Sequence, residues 1–171
     1  MAVAARILVI NDTQDMLEAF RLLLEDEGYE VFLAAIAPES AAAVEELHPD
    51  LVILDLIFGA ERIGWQLLQK LRMRRSTMTL PIVVCTAAVQ YAREMEAQIV
   101  AHGAVLVLKP FDIDELLDAV RLALDLSQSS ANLRNEQMQE QADAQPAPRD
   151  EPDHQGDDGP ASSPPREFPS S

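Results

Sequence analysis

The chain holds one cysteine, Cys85, among 171 residues. No intrachain disulfide can form, and the apolar run around Cys85 predicts a small packing residue in a reducing compartment. Basic residues are also few: 13 Lys and Arg stand against 29 Asp and Glu, for a formal net charge of −16. Nine acids and three bases follow Leu126, which leaves −10 on the first 126 residues. That balance repels a phosphate backbone and argues against direct nucleic-acid binding. The one basic cluster, Arg72, Arg74 and Arg75, reads as the solvated end of a helix. No apolar run is long enough to span a membrane. Met1 to Arg6 pass directly into Ile7-Leu8-Val9-Ile10, with Asn11 and Asp12 behind, which is not the pattern of a signal peptide. A cytoplasmic protein without membrane contact is the expectation. The sequence shows no internal repeat, and its three histidines have no partner at ligand or catalytic spacing, so His48, His102 and His154 read as surface residues. Trp65 reads as partly packed beside its helix.

A hydrophobic fraction of 48% is enough for the core of one domain. Four branched residues, Leu51-Val52-Ile53-Leu54, form a run typical of a strand buried on both faces, and Asp55 ends it. Similar short runs occur at Ile7–Ile10, Glu30–Ala34, Ile82–Cys85 after Pro81, and Val105–Leu108. Between them, apolar residues recur at helical spacing. Met16, Leu17, Phe20, Leu23 and Leu24 predict a first helix closed by Gly28 in a left-handed cap. Pro38 suits a first helical turn, and the pattern from there runs to Leu47 before Pro49 blocks it. Leu67, Leu68 and Leu71 mark a third helix, and Tyr91, Met95 and Ile99 a fourth before Gly103. Asp112 and Glu115 have capping-box spacing ahead of Leu116, Leu117, Val120 and Leu124. Strict alternation of five strands and five helices with short connections demands a parallel sheet with helices on both faces, the doubly wound α/β class.

The composition changes after Leu126. Residues 146–171 hold seven of the eleven prolines and almost nothing to bury. The domain is expected over 5–126, with 127–171 a low-complexity, disordered, acidic and Pro-rich tail. Residues 127–145 lack Pro and Gly, so the last helix has room to extend into them, although their apolar positions are too sparse for a coiled-coil seam.

In a parallel sheet the carboxyl ends of the strands share one edge, and ligands bind there. That edge collects Asn11 and Asp12, Asp55, Thr86 and Lys109, each directly after an apolar strand. Two carboxylates within a few ångströms repel unless a cation lies between them, and a hard ion such as Mg²⁺ meets that need with oxygen ligands and water. Thr86 offers a hydroxyl donor and Lys109 a fixed positive charge, both suited to an anion on or beside Asp55. A carboxylate so placed can act as the nucleophile that accepts a phosphoryl group.

Ile7-Leu8-Val9-Ile10-Asn11-Asp12, Leu51-Val52-Ile53-Leu54-Asp55, Pro81-Ile82-Val83-Val84-Cys85-Thr86-Ala87 and Leu108-Lys109-Pro110-Phe111 together resemble the strand-end motifs of the receiver domains of two-component response regulators. The resemblance covers roughly residues 5–126. It implies a flavodoxin-like sheet of order 2-1-3-4-5 and a cis Lys109–Pro110 bond. It implies a phosphoacceptor at Asp55 and Mg²⁺ held by Asp12, Asp55, the Ile57 backbone carbonyl and, through water, Asn11. Thr86 and Lys109 would contact the phosphoryl group. The partners it implies are a sensor histidine kinase or histidine phosphotransfer protein and a downstream protein at the face of helix four, strand five and helix five. Such a domain signals in a phosphorelay and catalyses only its own phosphotransfer and dephosphorylation. A stand-alone receiver is therefore expected.

Asn11 stands where the family has an acid, which predicts weaker Mg²⁺ binding. Gly59 replaces the usual Pro four residues after the acceptor, and Gly64 falls one residue later than usual, which predicts a longer and more mobile loop. The stretch between Gly103 and Lys109 is one residue short, and Leu106 stands where an aromatic is common. Asn11, the altered loop and Leu106 point to the alternative of a phosphorylation-independent, receiver-like interaction module, and Asp12, Asp55, Thr86 and Lys109 point against it. A small phosphatase would need a second acid two residues after Asp55, where Ile57 stands.

Overall fold

In the computed structural model, which describes residues 4–143, five parallel strands form one sheet in the order β2-β1-β3-β4-β5. The strands are β1 (Arg6–Ile10), β2 (Glu30–Ala34), β3 (Leu51–Leu54), β4 (Ile82–Thr86) and β5 (Ala104–Leu108). The helices are α1 (Gln14–Asp26), α2 (Ala41–Glu45), α3 (Ile63–Met73), α4 (Val89–Ala101) and α5 (Ile113–Asp143). The fold class is the one the sequence pattern predicts, and the sheet order is the one the resemblance implies.

Alternation along the strands sorts the core into two layers, because successive side chains point to opposite faces. Leu8, Ile10, Val52, Leu54, Ile82 and Val84 pack against Val44 of α2, Leu68 and Leu71 of α3 and Ile99 of α4. Ile7, Val9, Leu51, Ile53, Val83, Cys85 and Val107 pack against Leu17, Phe20 and Leu24 of α1 and Leu116 and Val120 of α5. All four residues of β3 are buried, as expected of a central parallel strand.

Gly28 closes α1 at φ +86°, with the Gly28 N–H on Glu25 O and the Tyr29 N–H on Leu24 O, the paired bonds of a Schellman cap. Other boundaries differ from the sequence reading. α2 begins at Ala41 rather than near Pro38, because the Ser40 hydroxyl accepts from the Ala43 N–H and caps the first turn there. The capping-box bonds expected between Asp112 and Glu115 are not formed; the Asp112 carbonyl accepts from the Leu116 N–H. The tail expected to be disordered from residue 127 is helical through Asp143, since nothing in that stretch breaks a helix. The rest of that expectation, residues 144–171, lies outside the described residues. Arg72 is not a solvated helix end: half-buried, it donates to the carbonyls of His102 (2.6 Å), Leu80 (2.9 Å) and Thr77 (3.3 Å). His102 is likewise half-buried, with the buried Trp65 edge-on at 5.7 Å, whereas His48 is exposed. Among the described residues no helix is long and apolar enough to cross a membrane.

Candidate functional site

The β1–β3 ladder pairs Ile10 with Leu54, so the residues that follow them, Asn11 and Asp55, emerge side by side. The Asn11 N–H bonds Ala34 O on one side, and the Asp55 N–H bonds Ile10 O on the other. β4 and β5 pair Thr86 with Leu108, and the Lys109 N–H bonds Thr86 O. A cis Lys109–Pro110 bond follows, as the resemblance implies. Sheet order thus carries four strand ends onto one edge.

The carboxylate of Asp55, 8% exposed, lies at the centre and accepts four hydrogen bonds. Its Oδ1 accepts from the Thr86 hydroxyl at 2.9 Å and from the Ile57 N–H at 3.2 Å. Its Oδ2 accepts from Lys109 Nζ at 2.9 Å and from Asn11 Nδ2 at 3.2 Å. A carboxylate has about four lone-pair sites, and four donors meet them here. Thr86, fully buried, also accepts from the Ala88 N–H at 3.3 Å, which ties the hydroxyl to the residue before α4. Asp12 is exposed and accepts from the Gly59 N–H at 2.8 Å.

The loop after Asp55 is bridged by backbone bonds. Phe58 and Glu61 exchange two backbone bonds across a turn whose Gly59 has φ +60°, a conformation glycine adopts without strain. Leu56 and Phe58 are buried, so the extra residue is absorbed by a packed turn. Gly64 explains why glycine is needed later: a Cβ there would lie 1.7 Å from the Asp55 carbonyl oxygen.

Asp12, Asp55, Ile57, Gly59, Thr86 and Lys109 line an open cleft of about 490 Å³. Beside it, Met16, Ala87, Pro110 and Phe111 line an apolar hollow of about 410 Å³ that also reaches Lys109. Among the described residues no three His, Cys, Asp or Glu side chains are placed to share an ion. A cation in the cleft would meet Asp12, Asp55, the Ile57 carbonyl and water, a hard-oxygen set that suits Mg²⁺. The Cys85 thiol, one residue before Thr86, is pushed up to about 12 by burial; the Asp55 charge adds to the shift and Lys109 opposes it. It is therefore neutral packing, not a nucleophile.

Of the site residues read from the sequence, Asp12, Asp55, Ile57, Thr86 and Lys109 line this cleft, whereas Asn11 is buried behind it and touches Asp55. The Asn11 amide is turned differently from the expectation: its Oδ1 accepts from the Thr13 N–H at 2.8 Å, and its N–H₂ group faces Asp55. Sequence reasoning missed the Ile57 and Ala88 amides, which carry no side-chain signal, and the contact at Gly64, for which the small residue opening α3 was the only sign.

The family model for the response regulator receiver domain matches residues 7–121. The alginate biosynthesis transcriptional regulatory protein AlgB of Pseudomonas aeruginosa is 36% identical over 130 residues, covering 75% of this chain and 28% of that protein. The transcriptional regulatory protein KdpE of Mycobacterium tuberculosis is 33% identical over 131 residues, 74% of this chain and 54% of its own length. The chain thus spans between about a quarter and about half the length of these relatives. Among solved structures, the Vibrio cholerae chemotaxis protein CheY4 aligns with a TM-score of 0.61 at 25% identity, covering 71% of this chain and 99% of that one.

Proposed function

The chain belongs to the response regulator receiver domain family, and from that premise we propose that Asp55 accepts a phosphoryl group from a histidine kinase or histidine phosphotransfer protein. The observation that carries this reading is the ring of four donors on Asp55, one of them the Lys109 ammonium. Donors gathered at an aspartate carboxylate lie within a short shift of the oxygens of a group transferred to it.

Asp55 is the nucleophile, and an oxygen of its carboxylate bonds to phosphorus as the phosphohistidine P–N bond breaks, with the imidazole leaving. Lys109 follows the charge outward from the carboxylate to the phosphoryl oxygens. Asp12, Asp55 and the Ile57 carbonyl would hold Mg²⁺, which supplies charge neutralisation of the transferring oxygens. The apolar hollow at Met16, Pro110 and Phe111 adjoins the cleft and offers a seat for the donor protein.

Signalling starts at Thr86. Its hydroxyl is shared between Asp55 and the Ala88 N–H, so a pull toward a new phosphoryl group is felt where α4 begins. Leu106, half-buried, packs in the same core layer as Tyr91 and Met95 of α4. The face of α4, β5 and α5 is then the surface offered to a downstream protein, with the receiver unit spanning 5–126 in a cytoplasmic setting. Incubation with a small-molecule phosphodonor tests the reading: the intact mass gains one phosphate, the gain requires Mg²⁺, and Asp55→Asn abolishes it. No gain with any donor in the presence of Mg²⁺ would overturn it.

A further inference from the structure

Asn11 is 2% exposed and its side chain is committed at both ends. Oδ1 accepts from the Thr13 N–H at 2.8 Å, and Nδ2 donates to Asp55 Oδ2 at 3.2 Å. These bonds determine which end is which. Turning the amide over would set N–H₂ against the Thr13 N–H and oxygen against a carboxylate, two repulsive contacts in a buried site. The backbone leaves no slack, because Asn11 and Asp55 are each tied by their own N–H to a neighbouring strand.

We infer that Asn11 is a positioning residue for Asp55. Its amide holds Oδ2 beside Lys109 and, by its N–H dipole, does part of the neutralising that an acid at this place would leave to a bound cation. The inference rests on the reading of Asp55 as phosphoacceptor. An acid at position 11 would put two carboxylates at hydrogen-bond distance, an arrangement that needs a proton or a cation between them. With Asn11, an amide N–H and the Lys109 ammonium both donate to Oδ2. Mg²⁺ would be held by Asp12, the exposed carboxylate at the mouth of the cleft, with Asp55 and the Ile57 carbonyl, and not by the Asn11 oxygen, which is turned to Thr13.

Two measurements on the full chain test this. In ¹⁵N-labelled protein without divalent cations, the Asn11 side-chain N–H₂ signals exchange slowly with water and shift in Asp55→Ala; signals that exchange as a free amide, or that ignore Asp55→Ala, overturn the inference. In Mg²⁺ titrations by calorimetry, Asn11→Ala keeps more affinity than Asp12→Ala, while Asn11→Asp binds about tenfold tighter than the parent and has a Tm that falls in chelator and recovers with Mg²⁺. Loss of Mg²⁺ affinity in Asn11→Ala equal to that in Asp12→Ala would show that Asn11 serves the metal, and would overturn the inference. Failure of the phosphoacceptor reading looks different: the donor adds no phosphate although the Asn11 signals still report the bond to Asp55.

Discussion

Gly64 sits on the backbone of Asp55. A Cβ built on Gly64 would lie 1.7 Å from the Asp55 carbonyl oxygen and 2.8 Å from its carbon, both backbone atoms that cannot swing aside. The first turn of α3 therefore lies directly against the backbone of the proposed phosphoacceptor. Gly64→Ala is expected to destabilise the protein by at least about 1–3 kcal/mol, the usual range for overpacking, and to slow phosphate uptake because Asp55 moves. Gly28→Ala is the control: its Cβ would meet nothing within 4 Å, so only the left-handed backbone costs energy, about 1–2 kcal/mol, and uptake is unchanged. Urea unfolding and intact-mass kinetics on both variants separate the two effects.

Thr86 contributes one hydroxyl that serves two partners in a fully buried place. Thr86→Val keeps the shape and removes the hydroxyl, leaving Asp55 Oδ1 with the Ile57 N–H alone. Stability should fall by about 1–3 kcal/mol, the cost of an under-satisfied buried acceptor. Phosphate uptake should persist while the shift of α4 signals on phosphorylation is lost; NMR of the variant before and after phosphodonor checks this.

Lys109 and Asp55 form a shielded ion pair at 2.9 Å, with side chains 14% and 10% exposed. Lys109→Met removes the cation and leaves a buried carboxylate without its counter-charge, for an expected loss of about 3 kcal/mol. Adding Asp55→Asn removes the stranded charge, so the double variant should be more stable than Lys109→Met. Denaturant midpoints for the four-protein cycle decide it; a double variant less stable than Lys109→Met would count against a charge-pairing role.

Burial pushes the Cys85 thiol up to about 12, above its ordinary value. The folded state therefore keeps a proton that the unfolded chain releases. Stability from this group is complete below the unfolded thiol pKa of about 8.5 and declines by up to about 1.4 kcal/mol per pH unit as pH rises from there toward 12. Cys85→Ala should flatten that alkaline decline, at the cost of lower stability at pH 7. Thermal melts from pH 7 to 11 check the slope, and slow alkylation of the native thiol at pH 8 checks the burial.

Much of this protein was legible before its structure, because its elements are of the kind that local pattern marks well. Apolar strand runs with an acid, a hydroxyl or an ammonium at their ends announce both the sheet and its functional edge, and Gly28 announces a helix end through its backbone freedom. Where reading failed, a tertiary partner had intervened. Pro38 suggested the start of α2, but the Ser40 hydroxyl found the Ala43 N–H and set the start later. Arg72 looked like a solvated charge, but the chain folds the carbonyls of Thr77 and Leu80, just beyond its helix, and of His102, far along the sequence, within its reach.

The sequence by itself determined the class of fold, the order of the elements and which residues would share the edge, since these follow from periodicity and from the handedness of parallel connections. Only the tertiary structure decided how Asn11 faces Asp55, how Gly59 and the Phe58–Glu61 bridge absorb an extra loop residue, and why Gly64 admits no side chain. Those are matters of a few ångströms between segments far apart in the chain, and such distances are set by how whole helices pack on the sheet rather than by any local run of residues.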